Sequence, residues 1–119
     1  MTIELRNAPS LPEPAGFSHL SIGPNGRIVH LAGQIGTDGK GELADGLAAQ
    51  TTAAMDNLVA AFSAAGAGPE DVAKLTVYIV DWTEARQAEL FEGFAGAATR
   101  LPLVPITLIG VQSLFLDAA

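Results

Sequence analysis

At 119 residues the chain suits one domain, with a core able to remove roughly two-thirds of the unfolded surface from water. Thirteen acidic against six basic residues, a formal net charge of −7, speak against a nucleic-acid partner, because the cations stand apart at Arg6, Arg27, Lys40, Lys74, Arg86 and Arg100. Cysteine is absent, which excludes disulfides, thiolate catalysis and cysteine-held metals, and with aromatics at only 6% the core must be aliphatic and alanine-rich.

The opening MTIELRNAPSLPEP is not a signal peptide, and its prolines at 9, 12 and 14 predict an extended arm. Residues 16–23, GFSHLSIG, and 27–34, RIVHLAGQ, then read as two strands of a hairpin, with Asn25-Gly26 supplying the tight turn between them. IGTDGKGELADG is a surface loop whose glycine spacing does not fit a phosphate-binding loop.

From Asp45 the period lengthens. Leu47, Thr51, Met55, Leu58, Phe62 and Ala65 recur at helical spacing, with Asp45 as the expected N-cap and Gly66 as the stop. KLTVYIV, 74–80, is rich in β-branched residues and predicts a strand. Asp81 and Glu84 have capping-box spacing for a second helix over about 82–98, with Ala88, Phe91 and Ala95 on its buried face and Trp82 packed at its start.

The last predicted strand lies in VPITLIGVQSLF. There Ile106, Leu108 and Gly110 point one way, and Thr107, Ile109 and Val111 the other. The order β-β-α-β-α-β predicts an α+β two-layer sandwich with both helices on one face of a mixed sheet. Helices cover only one side of the last strand, yet both sides are apolar. Burial of the second side by another subunit is therefore expected. No stretch reaches the roughly 18 apolar residues of a membrane span, so a cytoplasmic protein without a membrane partner is expected.

HLAGQIG at the end of the predicted hairpin, AQTTAAMDNLVAAFSAAGAGPEDVAKLTVYIVD, and the VP that opens the last strand resemble the Rid, or YjgF-like, family from about residue 14 to 116. The resemblance implies a chorismate-mutase-like fold, a single domain over 1–119, and a homotrimer with small-molecule clefts between subunits. It also implies hydrolysis of reactive enamines and imines to keto acids and ammonia, with no metal or cofactor. The arginine that binds substrate carboxylate in the main branch corresponds here to Thr107, which follows Pro105-Ile106. A threonine donates one hydrogen bond and carries no charge, so the bidentate anchor for a 2-imino acid is gone.

Other positions depart with it. The family's tyrosine is Phe17, the serine before GQ is Ala32, and the second-helix asparagine falls at Ala88 or Glu89. A glutamate that positions water in deaminating members lies on a further strand, which the chain ends just short of supplying.

The expected ligand-binding positions are Gly33, Thr107, Phe17 and His19. Gly33 admits either a ligand close to its backbone or a close strand contact. His19 stands where the family often has glutamine. His19 and His30 lack metal-ligand spacing and no metal is expected, while Arg100 is expected in solvent. No catalytic residue is assigned. The leading expectation is a hydrolase or deaminase-like enzyme for a small enamine, imine or related nitrogen compound other than a 2-imino acid. A non-catalytic trimeric metabolite-binding or chaperone-like protein is the alternative. An endoribonuclease is a weaker one, opposed by the acidic charge.

Overall fold

Two short strands open the chain. In the computed structural model, which describes residues 3–23 and 26–119, β1 (Glu4–Arg6) runs antiparallel to β2 (Leu20–Ile22), with Glu4 beside Ile22 and Arg6 beside Leu20. This corrects the predicted hairpin. Of residues 16–23 only β2 is strand, its partner comes from the segment expected to be an extended arm, and 27–34 joins no ladder. Asn25 of the predicted turn lies outside the described residues. RIVHLAGQ has the composition of a strand, but a strand forms only against an edge that completes its hydrogen bonds. In the single chain this segment lies on none of the free edges of the two two-stranded sheets, and Ile28 stands 81% exposed.

The first helix, α1 (Leu47–Ser63), is alanine-rich and buries Leu47, Met55 and Phe62 on one stripe, with Thr51 and Leu58 half-buried beside them. Four of these were expected on that face together with Leu47, whereas Ala65 lies past the helix and is exposed. The cap position is Gly46 at φ 86°, with no capping side chain, so the expected cap at Asp45 is displaced by one residue. At the other end Gly66 takes φ 76°. Its N–H reaches the Ser63 carbonyl at 3.0 Å and the Ala67 N–H reaches that of Phe62 at 3.1 Å, the paired bonds that close a helix around a left-handed residue.

Strand β3 (Leu75–Val80) leads through α2 (Gln87–Gly96) to β4 (Ile106–Val111), and β3 and β4 pair in parallel with Leu75 beside Ile106 and Val80 beside Val111. A helical crossover is what a parallel pair requires. The helix starts later than expected. Asp81 adopts φ 54° and no capping box forms there; a 3-10 turn over Glu84–Arg86 precedes α2.

Its buried face also differs: Leu90 and Gly93 are inside and Phe94 is half-buried, whereas Ala88, Phe91 and Ala95 are exposed. The cause is Gly93, which lies so close to α1 that a Cβ there would run into Thr51 and the Ala48 carbonyl. Thr52 Oγ1 donates to the Gly93 carbonyl across the same contact, at 2.6 Å.

Leu47, Ile79 and Leu90 form the centre of the core, with Val77, Trp82, Phe94 and Leu108 packed on it. The helices therefore cover one face of β3–β4, and the chain is α+β in the order β-β-α-β-α-β, with Glu4–Arg6 as a strand in place of 27–34. The strands form two two-stranded sheets, antiparallel β1–β2 and parallel β3–β4, rather than one mixed sheet. The β1–β2 pair is tied to the start of the second sheet. Ile3 N–H donates to Glu70 O at 3.0 Å, Ser21 Oγ–H to Ala73 O at 2.6 Å, and Ser18 N–H to Val104 O at 3.4 Å.

Candidate functional site

Alternation along β3 and β4 sends Val77, Ile79 and Leu108 into the core, so Thr76, Tyr78, Thr107 and Ile109 face away from the helices. The parallel register sets Thr107 beside Thr76 and Ile109 beside Tyr78. Tyr78 is 51% and Ile109 40% exposed, so this face is open in the single chain. It offers hydroxyl groups on an apolar floor. None of Thr76, Tyr78, Val80, Thr107, Ile109 and Val111 carries a charge at neutral pH.

Phe17 and His19 are brought together, their rings edge to face at 6.2 Å between centroids. Between them Ser18 is buried and bonded to Val104, which places this corner beside the segment that enters β4. His19 is fully engaged. Its Nδ1 accepts the Ala8 N–H at 2.9 Å, its Nε2 lies 3.0 Å from the Pro12 carbonyl, and its own N–H donates to Asn7 Oδ1 at 3.1 Å. The carbonyl can only accept and Nδ1 is already an acceptor, so these contacts are the ones an Nε2–H tautomer makes.

Gly33 lies on the unpaired 27–34 segment, exposed, and nothing in the chain comes within 4 Å of where a Cβ would stand. The close strand contact that could have explained this glycine is therefore not made within the chain. The structure does not bring Gly33 against Phe17 or His19. Ala88 and Glu89 lie on α2, and Glu89 faces Arg86, whose Nη1–H donates to the Val80 carbonyl at 2.8 Å. His30 and Arg100 are exposed. Among the described residues no three His, Asp or Glu side chains are grouped to hold a metal, and no helix is long and apolar enough to cross a membrane.

Two concavities among the described residues lie apart from the open face of β3–β4. A groove of about 560 Å³ runs between the start of α1 and α2 and includes Asp45, Thr52, Glu89 and Glu92. A smaller pocket of about 200 Å³, under residues 7–14, includes His19 and Glu13. Gly33, Phe17 and Thr107 line neither. Sequence reasoning missed Thr76 and Tyr78 as neighbours of Thr107. Alternation in LTVYIV gives the direction of each, but only the register of β3 on β4 sets them beside it.

Residues 8–119 match the model of the endoribonuclease L-PSP family. No curated protein sequence matches the chain significantly. Among solved structures, the chain is similar to YyfB of Yersinia pestis, a protein of unknown function of the conserved Rid family. The two are 33% identical with a TM-score of 0.83, over 99% of this chain and 92% of that one. RidA from the Antarctic bacterium Psychrobacter is 26% identical with a TM-score of 0.68, over 100% and 92%. The YjgF gene product of E. coli is 25% identical with a TM-score of 0.58, over 87% of each chain.

Proposed function

Because the chain belongs to the endoribonuclease L-PSP family of Rid and YjgF proteins, with their chorismate-mutase-like fold, we propose that it is a cytoplasmic, cofactor-independent small-molecule protein. In this reading a single domain assembles as a homotrimer. Each cleft forms where a neighbouring subunit covers the open face of β3–β4. Its ligand is a small enamine, imine or related nitrogen compound without a carboxylate.

One observation carries the ligand class: Thr107 stands outward from β4 beside Thr76, with Tyr78 and Ile109 next along, and this face has hydroxyls and no cation. A carboxylate desolvated there would lack the charge-assisted bonds that offset its burial. Phe17 supplies an apolar wall, and Gly33 supplies backbone that a ligand can approach. His19 belongs to the same corner as the residue that fixes Phe17, since both its ring nitrogens are taken.

Two outcomes at such a cleft remain distinct. Binding without turnover is favoured by the face itself, which has no imidazole or carboxylate to activate water. Hydrolytic deamination needs such a group, and exposed His30, three residues before Gly33, is the imidazole free to supply it. An endoribonuclease reading has no support beyond the family's description, since a net charge of −7 without a cationic cluster repels a phosphate backbone.

The test is to incubate the pure protein with a metabolite mixture and identify by mass spectrometry what is retained and what is consumed. Retention of an uncharged nitrogen compound without loss supports the binding reading; its conversion with release of ammonia supports the hydrolase. Hydrolysis of 2-iminobutyrate as fast as by an arginine-bearing relative overturns the ligand class.

A further inference from the structure

The connection from β1 to β2, residues 7–19, is closed on itself by one histidine. Pro9, Pro12 and Pro14 restrict its backbone, and a turn is made where the Leu11 N–H meets the Ala8 carbonyl at 3.2 Å. His19, at the base of the loop, holds it at three places: Asn7 through its own backbone N–H, Ala8 through Nδ1, and Pro12 through Nε2. Histidine is the side chain whose charge ordinarily changes between about pH 5 and 8. The bond from Ala8 requires a lone pair on Nδ1. Protonation puts a hydrogen there, facing the Ala8 N–H, so the contact turns from attractive to repulsive.

We propose that His19 is a proton-operated latch: neutral, it clasps the 7–14 loop against β2, and protonated, it releases the loop. The direction follows from linkage. The clasped state holds the unprotonated ring and the released state accepts the extra proton, so acid favours release and the clasp is complete above the transition. The ionisable side chains of the loop and of β1 are Glu13, Glu4 and Arg6 besides His19 itself. Glu13 lines the same pocket as the ring, from the loop. From β1, Glu4 and Arg6 are paired with each other at 2.6 Å, so their charges largely offset.

Release has a readable consequence. Phe17 rests edge-on against the His19 ring, and Ser18 between them is bonded to Val104 before β4. Loosening the loop therefore loosens the corner beside the open face of β4. This holds whether or not that face binds the proposed ligand.

The test uses the full chain carrying His30→Gln, which leaves His19 as its one histidine. NMR follows the His19 ring carbon and the hydrogen-exchange protection factor of the Ala8 amide from about pH 8 to about pH 5. Ala8 protection is expected to fall at least about tenfold in step with protonation of His19, while the amide of core residue Ile79 keeps its protection. In His19→Gln the Ala8 protection, whatever its level, is expected not to follow pH. Flat Ala8 protection across the titration of His19 overturns the proposal. So does a pH-dependent loss that persists in His19→Gln, or a His19 ring still neutral at the acid end. Should His30→Gln fail to fold, the wild-type chain with both histidines assigned gives the same readout.

Discussion

Thr107 shows how one side chain narrows a function. The family resemblance puts an arginine at this place in the main branch, and the structure sets this threonine outward from β4, paired with Thr76. Hydrogen bonds to a charged group are worth roughly 1.5–3 kcal/mol each, so losing a bidentate pair is expected to lower kcat/KM for a 2-imino acid by about hundreds- to tens-of-thousands-fold. Thr107→Arg alone is expected to regain less than about tenfold of that on 2-iminobutyrate in a coupled keto-acid assay. Phe17 offers no hydroxyl, Ala32 offers none, and Ala88 and Glu89 lie on the helix layer, so the added guanidinium meets an unadapted site. Recovery to the rate of an arginine-bearing relative would show that Thr107 by itself excludes such substrates. From alternation it was legible in the sequence that Thr107 lies opposite Leu108, though not that its side is the one turned from the helices. Its partnership with Thr76 was not legible either, because register is a relation between strands 31 residues apart in the pairing Thr76–Thr107.

Elements meet here through small residues. Helix α2 rests on α1 at Gly93, where Thr52 also donates across the contact, and Gly96 approaches Thr52 one turn on. Gly93→Ala is expected to lower stability by about 1–3 kcal/mol, because the added methyl has no space against Thr51 and the helices must separate. This outweighs the gain of up to about 1 kcal/mol that alanine brings to a helix interior. Urea unfolding midpoints decide it, and a variant as stable as the wild type would mean that the interface yields freely. The same contact explains the misplaced face of α2: periodicity counts large apolar side chains, and at this interface the absence of a side chain determines which face turns inward. By contrast α1 was readable almost throughout, since its stripe of Leu47, Met55 and Phe62 is both hydrophobic and buried.

For the whole molecule, the single chain leaves work unfinished on the open face of β3–β4 and along 27–34. Ile28 and Tyr78 are more than half exposed, Ile109 is 40% exposed, and the backbone of 27–34 joins no ladder. Apolar area in water and unpaired backbone both favour association. A homotrimer at micromolar concentration is expected by light scattering. Ile109→Asp, which puts a charge on the open face, is expected to shift it toward smaller species. A wild-type protein that stays monomeric would remove the basis for a cleft between subunits.

Local order came from the sequence alone: α1 with its glycine stop, the strand character of 75–80 and 106–111, the exclusion of cysteine chemistry, and the family through HLAGQIG and the VP before β4. Each of these depends on residues near one another in the chain, where propensity, periodicity and motif spacing act directly. The tertiary structure decided what depends on distant residues: that β2 pairs with β1 and leaves 27–34 unpaired, that Gly93 sets the rotation of α2, and that both nitrogens of His19 are spent on residues 7–11 positions before it. A sequence pattern states what a segment can do, and the partner that the fold brings to it selects which of those things it does.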